Sequence, residues 1–247
     1  MNFAVDAWLG AALPATVAGL LLTAGFAGST AGHRRVTREG GTFFLPERVM
    51  HTGYAWIDLL ARAAGRLGLG ADAVSWLSLG LGLVAGGLVA AGWLGGAAWA
   101  LALSGLCDGL DGAIARRQGT SSPAGAVLDS VLDRYVEFFF LAGLMVYFSG
   151  APWYQLTAIT ALFGGFMVTY STAKAEALRL APPRGWMKRP ERLVWLIAGA
   201  ALAAAGRLVD LPAERIVLGS VAIIAVFANL SAIRRLAALA QTAAGRG

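Results

Sequence analysis

The chain is poor in the residues from which water-soluble sites are usually built. It has one cysteine, Cys107, so no disulfide can form within the chain and cysteine says nothing about redox compartment. It has two histidines, His33 and His51, isolated in different segments, so a zinc site with nitrogen and sulfur ligands is excluded as an organising centre. Charged residues make up 14% of the 247 residues, against about 25% in an ordinary soluble domain. There is no internal repeat and no low-complexity tail. What the chain has instead is apolar surface: 57% of its residues are hydrophobic, and mean hydropathy is +0.66. This balance specifies an integral membrane protein. The net charge of +6 is not a nucleic-acid signature, because the loops on the inner side of a membrane carry excess Lys and Arg anyway.

A spanning helix needs about 20 mostly apolar residues. Residues 8–28 supply one. Residues 73–107 carry no charge and are too long for one span; Gly92, Gly95 and Gly96 divide them into two helices. Further spans are expected at 125–148, 153–179, 193–207 and 214–233, seven in all. With the N-terminus outside, all of the 20 Lys and Arg except Arg207 and Arg215 fall on the cytoplasmic side or in the cytoplasmic half of a span, as the positive-inside rule requires. The first apolar run is preceded by Asp6 and no Lys or Arg, and is followed by His33, Arg34, Arg35 and Arg38. That order predicts an uncleaved span rather than a secretory signal. Between the first two spans, Val49, Gly53, Trp56, Ile57, Leu60, Ala64 and Leu67 recur at helical spacing, while Asp58, Arg62 and Arg66 take another face. This pattern predicts an amphipathic helix lying in the cytoplasmic headgroup layer.

Four aspartates interrupt this greasy background. Asp108 and Asp111 lie at the inner end of one span, and Asp129 and Asp133 open the next. The linker "RQGTSSP" is short, so the two helices are expected as antiparallel neighbours with their acid pairs at one membrane depth. Acids in a membrane cost several kcal/mol and mark functional sites. The site must protonate some carboxyls or bind cations. An all-oxygen donor set suits hard divalent ions such as Mg²⁺, Mn²⁺ or Ca²⁺. Four carboxylates can hold two such ions about 4 Å apart, an arrangement used in phosphoryl chemistry. Gly112, Ala115 and Gly125 leave room beside the acids, and the Arg116 guanidinium suits phosphate oxygens. These residues describe a site for a diphosphate-containing ligand. A transporter or channel with a carboxylate cation or proton site is the alternative reading of buried acids.

The stretch resembles the CDP-alcohol phosphotransferase family, whose pattern is D-x-x-D-G-x-x-A-R-x8-G-x3-D-x3-D. Asp108, Asp111, Gly112, Ala115, Arg116, Gly125, Asp129 and Asp133 match all eight fixed positions at the family's spacing. The resemblance implies metal-dependent transfer of a phosphatidyl group from CDP-diacylglycerol to a small alcohol, with release of CMP, in phospholipid biosynthesis. It implies two divalent ions, Mg²⁺ or Mn²⁺, held by Asp108, Asp111, Asp129 and Asp133, with Asp133 as a ligand or as the general base. Gly112, Ala115 and Arg116 would hold the cytidine diphosphate, and Gly125 would let the helices or the nucleotide approach closely.

The fold implied is all-α: residues 45–236 form an interfacial amphipathic helix and a six-helix transmembrane bundle. Residues 1–44 add an extra N-terminal transmembrane helix and a basic loop, and 237–247 form a short cytoplasmic tail. The resemblance also implies a homodimer in a bacterial cytoplasmic membrane, with the active site facing the cytoplasm; Gly80, Gly82, Gly86 and Gly87 are candidates for helix packing, within the chain or across the dimer. For the acceptor, "YSTAKAEAL" and "RPERL" resemble segments of the branch that uses inositol phosphate. Arg134, Lys174, Arg189 and Arg192 are therefore candidates for the phosphate of a phosphorylated polyol, inositol phosphate or glycerol 3-phosphate. Thr172 stands where that branch carries a lysine. Glu137, one turn beyond Asp133, is expected to tune the metal site or to pair with Arg134 or Lys174.

Overall fold

A computed structural model describes residues 3–26, 47–181 and 183–245. The described residues form eight α-helices: α1 (Phe3–Phe26), α2 (Glu47–Arg66), α3 (Ala71–Ala90), α4 (Leu94–Gln118), α5 (Pro123–Tyr147), α6 (Pro152–Ala177), α7 (Arg189–Gly206) and α8 (Ala213–Ala244). Five of them (α1, α3, α6, α7 and α8) are long and apolar enough to cross a membrane on hydropathy alone. α4 and α5 are as long, with 25 residues each, but they carry the acids that lower their hydropathy. The chain is thus an integral membrane protein, whose described residues form seven helices of the bundle and one amphipathic helix. The basic loop with His33 lies outside the described residues, as do the side chains of Val49, His51 and Gly53.

The turns are written locally. Gly92, at φ +80°, reverses the chain between α3 and α4. Gly119 ends α4 in the left-handed conformation that favours glycine. Ser122 then caps α5 by accepting a hydrogen bond from the Gly125 amide at 3.0 Å, with Pro123 in the first turn. Lipid is as apolar as the helices, so the bundle is held by close packing of small residues rather than by hydrophobic burial. α3 lies along both α4 and α5, while α4 and α5 touch each other little. That leaves a cleft between them. At the α3–α5 crossing, side chains on Gly86 or Gly143 would collide with backbone carbonyls of the facing helix. Gly82 and Gly86 therefore serve packing within the chain, while Gly80 and Gly87 face open space.

α2 rests on α4 through Ala61 and Ala64, packed with Val74, Ala113 and Ile114, and with Ile57 beside them. Leu60 and Leu67, read from the sequence as part of the same face, point outward; Ile57, Ala61 and Ala64 meet the bundle.

α1 docks against α4 and α7. The Asp6 carboxylate is fully buried; it accepts from the Gly96 amide at 3.0 Å and pairs with Arg207 at 2.9 Å. Arg207 also donates to the Gly92 carbonyl, and Trp99 Nε1 donates to the Leu9 carbonyl. This explains one of the two cations that break the positive-inside pattern: Arg207 is there to meet Asp6.

Several sequence-based boundaries move: α1 begins at Phe3 rather than 8, and α4 runs past 107 to Gln118. α7 begins at Arg189 rather than 193, because Pro190 sits in its first turn and Glu191 Oε2 accepts from the Lys188 amide at 3.0 Å. The charges there depress hydropathy without ending the helix. α8 continues to Ala244 through the stretch read as a tail, with Leu239 packed on Ala175 and Leu180.

Candidate active site

The cleft between α4 and α5 holds the acids. Carboxylate oxygens of Asp108, Asp129 and Asp133 lie within 4.8 Å of one another. α4 delivers Asp108 from just past its midpoint, and the first half of α5 delivers Asp129 and Asp133 on one face, four residues apart. The fourth acid stands apart from this cluster. Asp111 accepts a 2.5 Å hydrogen bond from the hydroxyl of Ser75 on α3, which holds its carboxylate toward α3. Gly112 and Gly125 border open space: a side chain at Gly112 would meet only the Arg116 guanidinium, and one at Gly125 only the Ser122 hydroxyl. Among the described residues no neighbouring helix approaches Gly125, so of the two reasons offered for this glycine the close helix contact is not realised there. Ala115 is half-buried and Arg116 exposed at the end of α4.

A cation enters the cluster from α7. Arg189 donates from Nη1 to Asp108 Oδ2 at 2.6 Å and pairs through Nη2 with Asp133 Oδ1. Three carboxylates less one guanidinium leave two formal negative charges in a half-buried space. An all-oxygen, net-negative cluster of this span fits hard divalent cations.

Beside the acids opens a pocket of about 170 Å³ lined by Ser130, Asp133, Arg134, Glu137, Thr169, Arg189 and Arg192. Asp133 and Arg189 belong to both the acid cluster and this pocket. Arg134, half-buried, lines it and donates to the Ser130 carbonyl. Lys174 is exposed on the last turns of α6 and does not line it. Glu137 pairs neither with Arg134 nor with Lys174. Its partner is Arg192, through Nε at 2.5 Å and Nη2 at 2.7 Å. The sequence could not reveal this, since the partners are 55 residues apart and Arg192 reads as loop. Thr172, in the position where a lysine was expected, accepts a hydrogen bond from the guanidinium of Arg235 on α8, which also donates to Ser171 and the Val168 carbonyl. Ser75 was missed as well; 36 residues from Asp111, it has no local signature.

The sequence model of the CDP-alcohol phosphatidyltransferase family matches residues 69–230. The chain belongs to this family. It is thus a phosphotransferase integral to the membrane, and the ion-pathway reading of the acids falls away. It is 36% identical over 137 residues to the archaetidylinositol phosphate synthase of Methanothermobacter thermautotrophicus, an alignment covering 56% of this chain and 69% of that one. It is 35% identical over 127 residues to the phosphatidylinositol phosphate synthase of Cutibacterium acnes, covering 50% and 61%. Among solved structures it is similar to the phosphatidylinositol phosphate synthase of Mycobacterium tuberculosis with CDP-DAG bound. That likeness has a TM-score of 0.67 and 27% identity, and covers 74% of this chain and 92% of that one. The same enzyme in complex with manganese and citrate gives the same TM-score and identity, with 88% of that chain covered. The family match begins at residue 69, so α1 and α2 precede it.

Proposed function

We propose that the protein transfers a phosphatidyl group from CDP-diacylglycerol to an inositol phosphate and releases CMP. The observation that carries the acceptor is the pocket in which Asp133 faces Arg134 and Arg189: an acid at the edge of the carboxylate cluster and cations within one small space. The names of the relatives support the same acceptor, and the CDP-DAG complex of the similar structure supports the donor.

Asp108, Asp129 and Asp133, with Asp111 turned in from Ser75, would hold two divalent ions, Mg²⁺ or Mn²⁺. Such ions, when bound, neutralise the diphosphate and stabilise charge developing on the leaving CMP. Gly112 and Ala115 leave space for the cytidine diphosphate, Gly125 leaves space at the start of α5, and Arg116 offers donors to the diphosphate. Arg189 and Arg134 receive the acceptor's phosphate and aim its hydroxyl at the reacting phosphorus. Asp133 takes the hydroxyl proton. The acceptor oxygen bonds to the phosphorus that carries diacylglycerol, and the bond from that phosphorus to the CMP oxygen breaks. Arg192 lines the pocket as well, with three of its five N–H donors on Glu137 and the Met187 carbonyl. We further assign the protein to a bacterial cytoplasmic membrane as a homodimer with the acids facing the cytoplasm; the placement of Lys and Arg supports that orientation. Residues 45–236 would constitute the enzyme, with α1 as an added helix.

The test is CMP release by the purified protein from CDP-diacylglycerol with Mg²⁺ or Mn²⁺, offering inositol 1-phosphate, glycerol 3-phosphate, inositol and serine in parallel. Metal-dependent release with inositol 1-phosphate is expected. Release with glycerol 3-phosphate instead would keep the reaction and replace the acceptor; release only with an uncharged or zwitterionic alcohol would remove Arg134 and Arg189 from the role given them.

A further inference from the structure

α5 and α7 are joined by two ion pairs, stacked one turn apart on each helix. Asp133 and Glu137 are four residues apart on α5, and Arg189 and Arg192 are three apart on α7, so each pair of residues shares a face. The two rungs differ in burial. In the Asp133–Arg189 rung the side chains are 16% and 22% exposed, and Arg189 is shared with Asp108. In the Glu137–Arg192 rung they are 8% and 2% exposed, and the pair is bidentate. Arg192 spends a further donor on the carbonyl of Met187, a residue held at φ +54° two positions before the helix begins. Room for the pair is made by Gly165 on α6, where an added Cβ would lie 2.8 Å from Glu137 Oε1 and 2.9 Å from Arg192 Nε.

We propose that the Glu137–Arg192 pair is a positioning device for Arg189, one that sets affinity for the acceptor's phosphate without touching it. A rotation of α7 by one residue would swing Arg189 by about 100° around the helix axis. The Glu191 cap and Pro190 fix where α7 starts, but neither ties its rotation to α5. α7 is seated in the bundle by α1, α4 and α8, and the bidentate pair adds the direct tie to α5, because two parallel N–H···O bonds constrain direction as well as distance. A buried pair is costly to break, while a half-buried one exchanges partners readily. The deep rung therefore stays closed as a hinge pin, and the shallow rung is the one whose arginine can trade carboxylates for a phosphate. This inference rests on the reading of Arg189 as an acceptor-phosphate cation.

The experiment is a double-mutant cycle between Glu137→Gln and Arg189→Met, with KM for inositol 1-phosphate, KM for CDP-diacylglycerol and kcat measured for each protein. Glu137→Gln is expected to raise acceptor KM at least about tenfold in the wild-type background, to raise it less than about twofold in the Arg189→Met background, and to leave donor KM within about twofold in both. Arg192→Lys, which keeps the charge and loses the fork, is expected to show the same pattern more weakly. If Glu137→Gln fails to fold, the neutral pair Glu137→Gln with Arg192→Met removes both charges at similar volume and serves in its place. Equal losses in both backgrounds, a parallel rise in donor KM, or a wild-type acceptor KM in the neutral pair would each overturn the proposal while leaving the function intact. A wild-type protein that neither binds nor turns over inositol 1-phosphate would overturn both.

Discussion

Asp133 belongs to two environments at once, the carboxylate cluster and the cationic pocket, while Asp108 and Asp129 belong only to the first. Their substitutions should therefore separate. Asp108→Asn or Asp129→Asn removes charge where the diphosphate must be neutralised. Each is expected to lower CMP release by roughly 1000-fold or more while the protein still inserts and keeps its melting temperature within a few degrees. Retained turnover in both variants would refute the cluster as the reaction centre. Ser75 contacts the site only through Asp111. Ser75→Ala frees that carboxylate, and Mn²⁺ titration should show a change in affinity of about 10-fold to 100-fold, the scale at which partners of metal ligands act. An unchanged Mn²⁺ isotherm would place Asp111 outside the metal site.

At the scale of elements, α1 is held by one buried charge pair and by glycine contacts. Gly10 lies so close to α7 that an added Cβ would sit 2.6 Å from the Ala201 carbonyl oxygen. Breaking a buried pair by removing one partner costs about 3–5 kcal/mol. Arg207→Met is expected to lower the melting temperature of the detergent-solubilised protein by several degrees, and Asp6→Asn with Arg207→Met together to recover most of that loss. No recovery would mean that the two residues do not act as a pair. The helices themselves were legible in the sequence because their signals are local: apolar length, Gly92 at a turn and Pro123 at a start; Pro190 marks the start of α7 too, but the charges around it lowered hydropathy and moved that span's expected start to 193. The acid motif was legible because eight positions fall within 26 residues. The partners Asp6–Arg207, Glu137–Arg192 and Ser75–Asp111 were not, since each joins distant segments, and nothing in composition or periodicity marks which buried charge meets which.

For the whole molecule, the metal site and the fold are linked. The excess negative charge at the α4–α5 cleft opposes closure of that end of the bundle, and a bound cation relieves it. Mn²⁺ at about 100 times its dissociation constant should stabilise the folded protein by about 2.7 kcal/mol, and a chelator should reverse the gain. Thermal melts with and without Mn²⁺ check this; the Asp108→Asn protein should show little of the shift.

The Asp6–Arg207 contact spans 201 residues, and that separation has a consequence for biogenesis. A ribosome adding about 5–20 residues per second needs on the order of 10–40 s between making one partner and the other. Throughout that interval α1 is in the bilayer with its aspartate unmatched, and five further spanning helices must be inserted before the guanidinium arrives. The last steps of synthesis therefore complete the seat of the first helix, and a chain stalled before residue 207 would carry an unanswered charge at the end of the bundle opposite the catalytic acids, a mark by which quality control could tell an unfinished protein from a finished one.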